Sequence, residues 1–264
     1  VTGLTASLTA GTLANGEGTL QFLISGTPAT AGTASISIAF GGKTCAISLV
    51  VSDVVNTNGI PGPNITDNDG NTYKTVTIGT QTWMAENLKT AKYNDGTAIP
   101  NVTDATQWSN LTTGAYAYYN NDAANNAKYG KLYNWYAVSP TTNGNKNVCP
   151  TGWHVPTDAE WTVLTDYLGG ASVAGGKMKE VGTTSWNSPN TDATNTSLFT
   201  GLPGGNRDGF GDYFSIGYGG YWWSSTEDNT ANVGNCFLLY NNGDVDRDFD
   251  FPKGLGLSVR CLRD

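Results

Sequence analysis

Glycine occupies 34 of the 264 positions, and that frequency narrows the folds open to the chain. In a helix interior each glycine costs roughly 1 kcal/mol against alanine, while turns exploit its conformational freedom. Charge is sparse and aromatic residues are abundant, with 13 Tyr and 8 Trp. This balance suits a loop-rich β or α+β protein and argues against a helical bundle. The net charge of -8 speaks against a nucleic-acid partner, which needs clustered Lys and Arg. No apolar run reaches membrane-spanning length, so no membrane span is expected in the chain.

The chain opens at Val1 without Met or a charged-then-apolar leader, which reads as an excised or processed piece. Its four cysteines, Cys45, Cys149, Cys236 and Cys261, form no CxxC pair, and His154 is the only histidine. Zinc-type ligand spacing is therefore absent, and a bridge between two distant cysteines in an oxidising compartment is the better expectation. No partner can be assigned to Cys45.

Residues 20–24, 34–40 and 46–51 alternate small and apolar positions and predict strands, with Gly41 and Gly42 at hairpin spacing. Residues 1–53 thus read as a small all-β unit, sandwich-like or immunoglobulin-like, with the role of a spacer. Residues 54–66, with Pro61 and Pro63 around Gly62, read as a linker, and the second domain is expected over 67–264. Asp67 to Asn71 has the look of a calcium-loop opening but lacks the closing Glu, so a tight turn is expected there. No cofactor is expected, and no motif supports calcium.

Residues 157–168 carry the clearest helix signal. Thr157 and Glu160 form a capping box, Trp161, Leu164 and Leu168 recur at helical spacing, and Gly169 and Gly170 close the run. A weaker helix is predicted over 174–181. His154 is read as a packed or hydrogen-bonded structural residue. The glycine-rich stretch 197–211 lacks the Lys-Ser/Thr ending of a phosphate loop and reads as a long structured loop. The rings along the chain could form a carbohydrate platform through Trp108, Tyr118, Trp222 or Trp223, but a core poor in Leu and Ile would claim them first. The C-terminal run holds a hairpin pattern, 236–240 then Asn241-Asn242-Gly243 then 244–251, between an aromatic opening and an apolar end that carries Cys261.

Four stretches in order, TYKTVTIGTQTWMAENLKT, YNNDAAN with YGKLYNWYAV, CPTGWHVPTDAEWTVL, and YWWSSTE with NNGDVDR and LSVRCLRD, resemble the Fibrobacter succinogenes major paralogous domain over residues 67–264. The resemblance implies an α+β fold similar to C-type lectins, with N- and C-terminal strands paired and Cys149 bridged to Cys261. It also implies extracellular or cell-surface proteins of Bacteroidetes-type bacteria. Cys236 departs from the family pattern, where a large side chain or arginine is common, and its state is open. The calcium-dependent sugar motifs of C-type lectins are missing, so the fold does not imply sugar binding. The reactive cysteine pair of formylglycine-generating enzymes, which share the fold, is missing too, and the chain is expected not to be an enzyme.

Such C-terminal segments also resemble variable regions diversified by retroelements, in which alternating positions change on a constant frame. On that basis Leu238, Tyr240 and Val245 are expected to point inward, and Asn235, Phe237, Leu239, Asp244, Asp246, Asp248 and Asp250 outward. The expected recognition surface spans 229–257 and adds Asn229, Asn232, Phe249, Phe251 and Leu255. An acidic strand with phenylalanine anchors suggests a basic protein partner or a cation, with a glycan ligand or a purely structural unit as the rivals.

Overall fold

Alternating small and apolar residues make strands in the N-terminal stretch of the computed structural model, which describes residues 4–8, 22–26, 32–40, 43–51, 58–228 and 232–264. The chain divides into two units, Val1–Asn56 and Thr57–Asp264. In the first, Leu4–Leu8 (β1) pairs antiparallel with Phe22–Gly26 (β2), and Gly32–Phe40 (β3) with Lys43–Val51 (β4). The second ladder runs from Gly32↔Val51 to Phe40↔Lys43, so both strands are longer than the periodicity predicts. Ala34 is buried while Thr33, Ser35 and Ser37 are exposed, as one-sided burial requires.

The second unit begins earlier than expected. Residues Ile60–Thr66 (β5), read above as linker, form a strand on Thr72–Ile78 (β6), which turns into Gln81–Met84 (β7). Proline hides this strand from a pattern search because it cannot donate to a ladder. β5 tolerates Pro61 and Pro63 because it is the edge of its sheet and slips register between Gly62 and Ile65. The β6–β7 turn needs Gly79, whose φ is 62° and whose Cβ would meet the Tyr167 ring at 2.8 Å. The Asp67 loop is the expected turn: Oδ1 accepts from the amides of Asp69 and Asn71, and Oδ2 from Asn71 Nδ2 and the Tyr73 hydroxyl.

Short helices and strands follow: Ala105–Ser109 (α1), Tyr116–Ala117 (β8), Asn125–Tyr129 (α2), Leu132–Asn134 (β9), Trp135–Val138 (α3) and Trp153–His154 (β10). Asp158–Tyr167 (α4) carries the predicted capping box. The weaker helix is displaced from its expected 174–181 to Ala171–Met178 (α5). Leu168 and then Gly169 and Gly170, at φ 103° and 96°, form the joint, and the Gly170 carbonyl accepts from Val173 and Ala174, starting the helix at once. The C-terminal strands are Gly204–Arg207 (β11), Tyr213–Ile216 (β12), Gly219–Glu227 (β13), Asn232–Leu239 (β14), Asp246–Pro252 (β15), Gly256–Leu257 (β16) and Leu262–Arg263 (β17).

Two sheets organise this unit, one ordered β10-β17-β7-β6-β5 and the other β15-β14-β13-β11-β16-β9-β8, with β12 on β11. The last strand, β17, pairs with β7 near the start of the unit through Leu262↔Trp83. A disulfide joins Cys149 to Cys261, with Cα atoms 5.9 Å apart, beside Val148 and Trp153 in one hydrophobic cluster. The rings are core. Trp83, Trp108, Trp135, Trp161, Trp186, Trp222 and Trp223 are fully buried. Buried indole N–H groups usually find a partner: those of Trp108, Trp135, Trp186 and Trp223 reach main-chain carbonyls, those of Trp222 and Trp83 reach Asn87 Oδ1 and Gln81 Oε1, and that of Trp161 has none among the described residues. Among the described residues no helix is long and apolar enough to cross a membrane.

Candidate ligand-binding face

The strands β13, β14 and β15 lie side by side at one end of the larger sheet, with β15 at its edge. Alternation sends Cys236 and Leu238 into the cluster that holds Trp161, Met178 and Trp222. The opposite parity carries Tyr221, Trp223, Asn235 and Phe237, paired as Tyr221↔Phe237 and Trp223↔Asn235. Leu238 and Val245 are buried, as the inward assignment requires, while Tyr240 is half-buried.

On this face three rings stand in a group. Tyr221 and Phe237 stack with centroids 5.6 Å apart, Phe237 and Phe251 at 6.3 Å, and Tyr221 and Phe251 at 6.5 Å. All three are half-buried. Phe237 pairs with Asp246 and Asn235 with Asp248, so two half-buried carboxylates border the rings. Neither has a basic partner among the described residues. Burial first, and the neighbouring Asp244 charge with it, hold the Asp246 carboxyl above its ordinary range.

Other parts of the expected surface lie elsewhere. The ladder passes from Asn235↔Asp248 to Val233↔Phe251, three steps on β15 against two on β14. This bulge reverses the parity of β15 halfway along. Phe251 therefore joins the face, and Asp250 becomes an exposed bulge residue whose amide bonds Asp248 Oδ1. Phe249 turns to the reverse side, where its ring would meet a Cβ on Gly234 at 3.0 Å. The four aspartates do not share one strand face: Asp244 precedes β15, and its carbonyl abuts Gly175 of α5.

Asn235, expected outward, is only 1 % exposed, and neither atom of its amide has a partner. Asn235 pairs with the fully buried Trp223 and follows the fully buried Val233 by two residues on β14, while the Phe251 ring, whose strand position faces Val233, approaches Phe237. Leu239 is half-buried at the end of β14, Asn232 is half-buried opposite Pro252, and Leu255 packs against the Cys149 cluster. Asn229 lies outside the described residues. Of the proposed sugar platform, Trp108, Trp222 and Trp223 are buried and cannot stack on a ligand; Tyr118 is half-buried, edge-on to Tyr116.

Two cations that the sequence reading passed over hold the face in place. Arg247, opposite Cys236, reaches across to the Asp158 carbonyl and carboxylate and to Thr162 of α4. Lys179, fully buried, donates to the carbonyls of Thr191, Leu239 and Asn242, fastening the end of β14 and the hairpin turn to the loop at Thr191. Tyr221 was hidden by its neighbours: it stands beside two core tryptophans, and only period-two counting separates it from Trp222. Cys236 is a free buried thiol, and burial pushes its pKa up, away from reactivity. The side chain of Cys45 lies outside the described ones.

Fold and face together define a sheet-rich mixed α and β module that carries a bordered aromatic surface at one sheet end. Residues 76–263 match the Fibrobacter succinogenes major domain, and the chain belongs to that family. Comparison with curated proteins and with solved structures finds no match.

Proposed function

We propose that the chain is a non-enzymatic ligand-binding module of adhesin or receptor type, placed outside the cell, with the β13–β15 face as its recognition surface. The observation that carries the reading is the juxtaposition on that face of three partly exposed rings, two carboxylates without a basic partner, and the unpartnered Asn235 amide. Rings supply apolar anchors, while the carboxylates select a Lys- or Arg-bearing partner and speed its approach. An unsatisfied buried amide costs about 1–3 kcal/mol, which a ligand that reached it would regain by hydrogen-bonding to it.

In this reading the second unit is a C-type-lectin-like scaffold. The pairing of its last strand with β7 and the Cys149–Cys261 bridge support that assignment. The first unit is a small β-sandwich spacer. Retroelement diversification of the hairpin is part of the same proposal, and a reverse transcriptase beside an Asn-rich near-copy of the segment at the encoding locus is its test.

The binding test screens the full chain against arrays of basic peptides, acidic peptides and glycans, with and without calcium. Basic peptides should be retained, and their affinity should fall about tenfold or more in the double variant Asp246→Asn/Asp248→Asn at unchanged thermal midpoint. Retention of glycans alone, unaffected by that variant, would replace the reading with carbohydrate binding.

A further inference from the structure

The second unit also holds a concavity that shares no residue with the C-terminal face. It has a volume of about 510 Å³ and opens beside the edge strand β5. That size falls within the range of small-molecule sites, roughly 300–1,000 Å³. Its apolar wall is formed by Val76, Ala85, Leu198 and Leu202, and Leu198 is 37 % exposed in the concavity. Lys74 and Lys128 stand on its lining together with one acid, Glu86.

The charges here run against those of the chain. At a net charge of -8, lysines are scarce, yet two meet at this cavity without a carboxylate partner among the described residues. Glu86 is already engaged, with one oxygen 3.4 Å from Lys89 Nζ and the other accepting from the Lys74 amide at 2.9 Å. A third cation, Arg260, lies fully buried and donates to the Thr200 carbonyl at 3.2 Å and to that of Phe199. The local field therefore favours an anion.

The wall is also held in a conformation that the chain does not choose by itself. Leu198 and Thr200 have φ of 55° and 54°, in the left-handed region that a β-branched residue such as Thr200 rarely enters. Asn195 fixes Thr200 from one side by accepting from its amide and donating to its hydroxyl, and Arg260 fixes it from the other. Leu198, on the same strained turn, lines the cavity, and strained backbone of this kind gathers at ligand sites.

We propose that this cavity binds a small organic carboxylate with an apolar body, its charge between Lys74 and Lys128 and its body against Leu198 and Leu202. The probe is 4-phenylbutyrate, titrated into the full chain by calorimetry and by methyl chemical shifts of Ala85, Leu198 and Leu202. Two controls dissect it: 4-phenylbutyramide keeps the body without the charge, and acetate keeps the charge without the body. Saturable binding of the carboxylate is expected, about tenfold or more tighter than either control, because a charge-assisted hydrogen bond contributes about that factor.

Lys74→Gln/Lys128→Gln, two exposed positions whose change spares the fold, should weaken 4-phenylbutyrate about tenfold and leave 4-phenylbutyramide unmoved. Leu198→Asn suits the same backbone conformation, removes the apolar contact and should weaken both. Equal affinity for the acid and its amide, shifts confined to other methyls, or no saturation at millimolar probe would each overturn the assignment. Any of these would leave the reading of the C-terminal face intact, because that one is tested with peptides and at other residues.

Discussion

At the scale of single residues, buried cations do work in this protein that carboxylates do not share. Arg207 donates to the carbonyls of Gly211, Val102 and Thr103 while its guanidinium lies between Trp108 and Tyr213. Lys179 likewise ends on main-chain carbonyls, and Arg260 on those of Phe199 and Thr200 and on Asn87 Oδ1. A loop-rich core leaves many carbonyls without ladder partners, and a multi-donor side chain satisfies several at once. His154 is a milder case, hydrogen-bonded to Asp264 at 2.7 Å and to Glu160 at 3.0 Å. Burial opposes its protonation, but the two carboxylates outweigh burial and raise its pKa above the ordinary 6.5. A raised pKa stabilises the fold fully below 6.5, and that stabilisation is lost as pH rises through the folded-state value. The thermal midpoint should therefore fall from about pH 6 to pH 8 in the parent, modestly because the pair is partly solvent-screened. His154→Gln should flatten the profile; an unchanged slope would refute the assignment.

At the scale of elements, the C-terminal hairpin is built onto α5 by backbone contact. The Gly176 amide donates to the Gly243 carbonyl and the Val245 amide to that of Ala171. This approach explains why the helix carries Gly175, a poor helix former, while Gly176 makes room for the Asp192 backbone, whose carbonyl oxygen would stand 2.5 Å from a Cβ there. A Cβ on Gly175 would stand 2.0 Å from the Asp244 carbonyl oxygen. Gly175→Ala sets two effects against each other. Alanine gains about 1 kcal/mol of helix propensity, and overpacking against an unyielding backbone atom costs about 3 kcal/mol. The net expectation is a loss of about 2 kcal/mol, read by chemical denaturation. A stabilised variant would show that the turn yields freely and that α5 does not position the face.

At the scale of the whole molecule, a disulfide ties distant parts of the second unit together. Cys149 and Cys261 are separated by 112 residues, so the bridge ties the approach to α4 to the final strands. Closing a loop of that length in the unfolded chain corresponds to about 4–5 kcal/mol in the chain-entropy account. Cys149→Ala/Cys261→Ala should lower unfolding stability by about 4 kcal/mol in denaturant titrations, and reduction of the parent should reproduce the loss. Equal stability with and without reductant would show that packing alone closes the unit. Cys236 should stay unmodified by thiol reagents until the unit unfolds, since its thiol is buried.

The C-terminal hairpin shows where local signals end. By itself the sequence determined α4 and its capping box, the core role of the tryptophans, the inward Leu238 and Val245, and the motifs that mark the family. Each is written within a few residues or in a fixed strand period. The strand at Ile60–Thr66 escaped because prolines erase the pattern that an edge position permits. The face itself was decided by tertiary structure. One bulge residue on β15 turned Phe249 away and brought Phe251 in, and Asn235 lies buried opposite Trp223. Alternation tells which residues share a side only while the register holds, and register is set by the strand across the ladder. Whether that side meets solvent depends on rings that arrive from elsewhere in the chain.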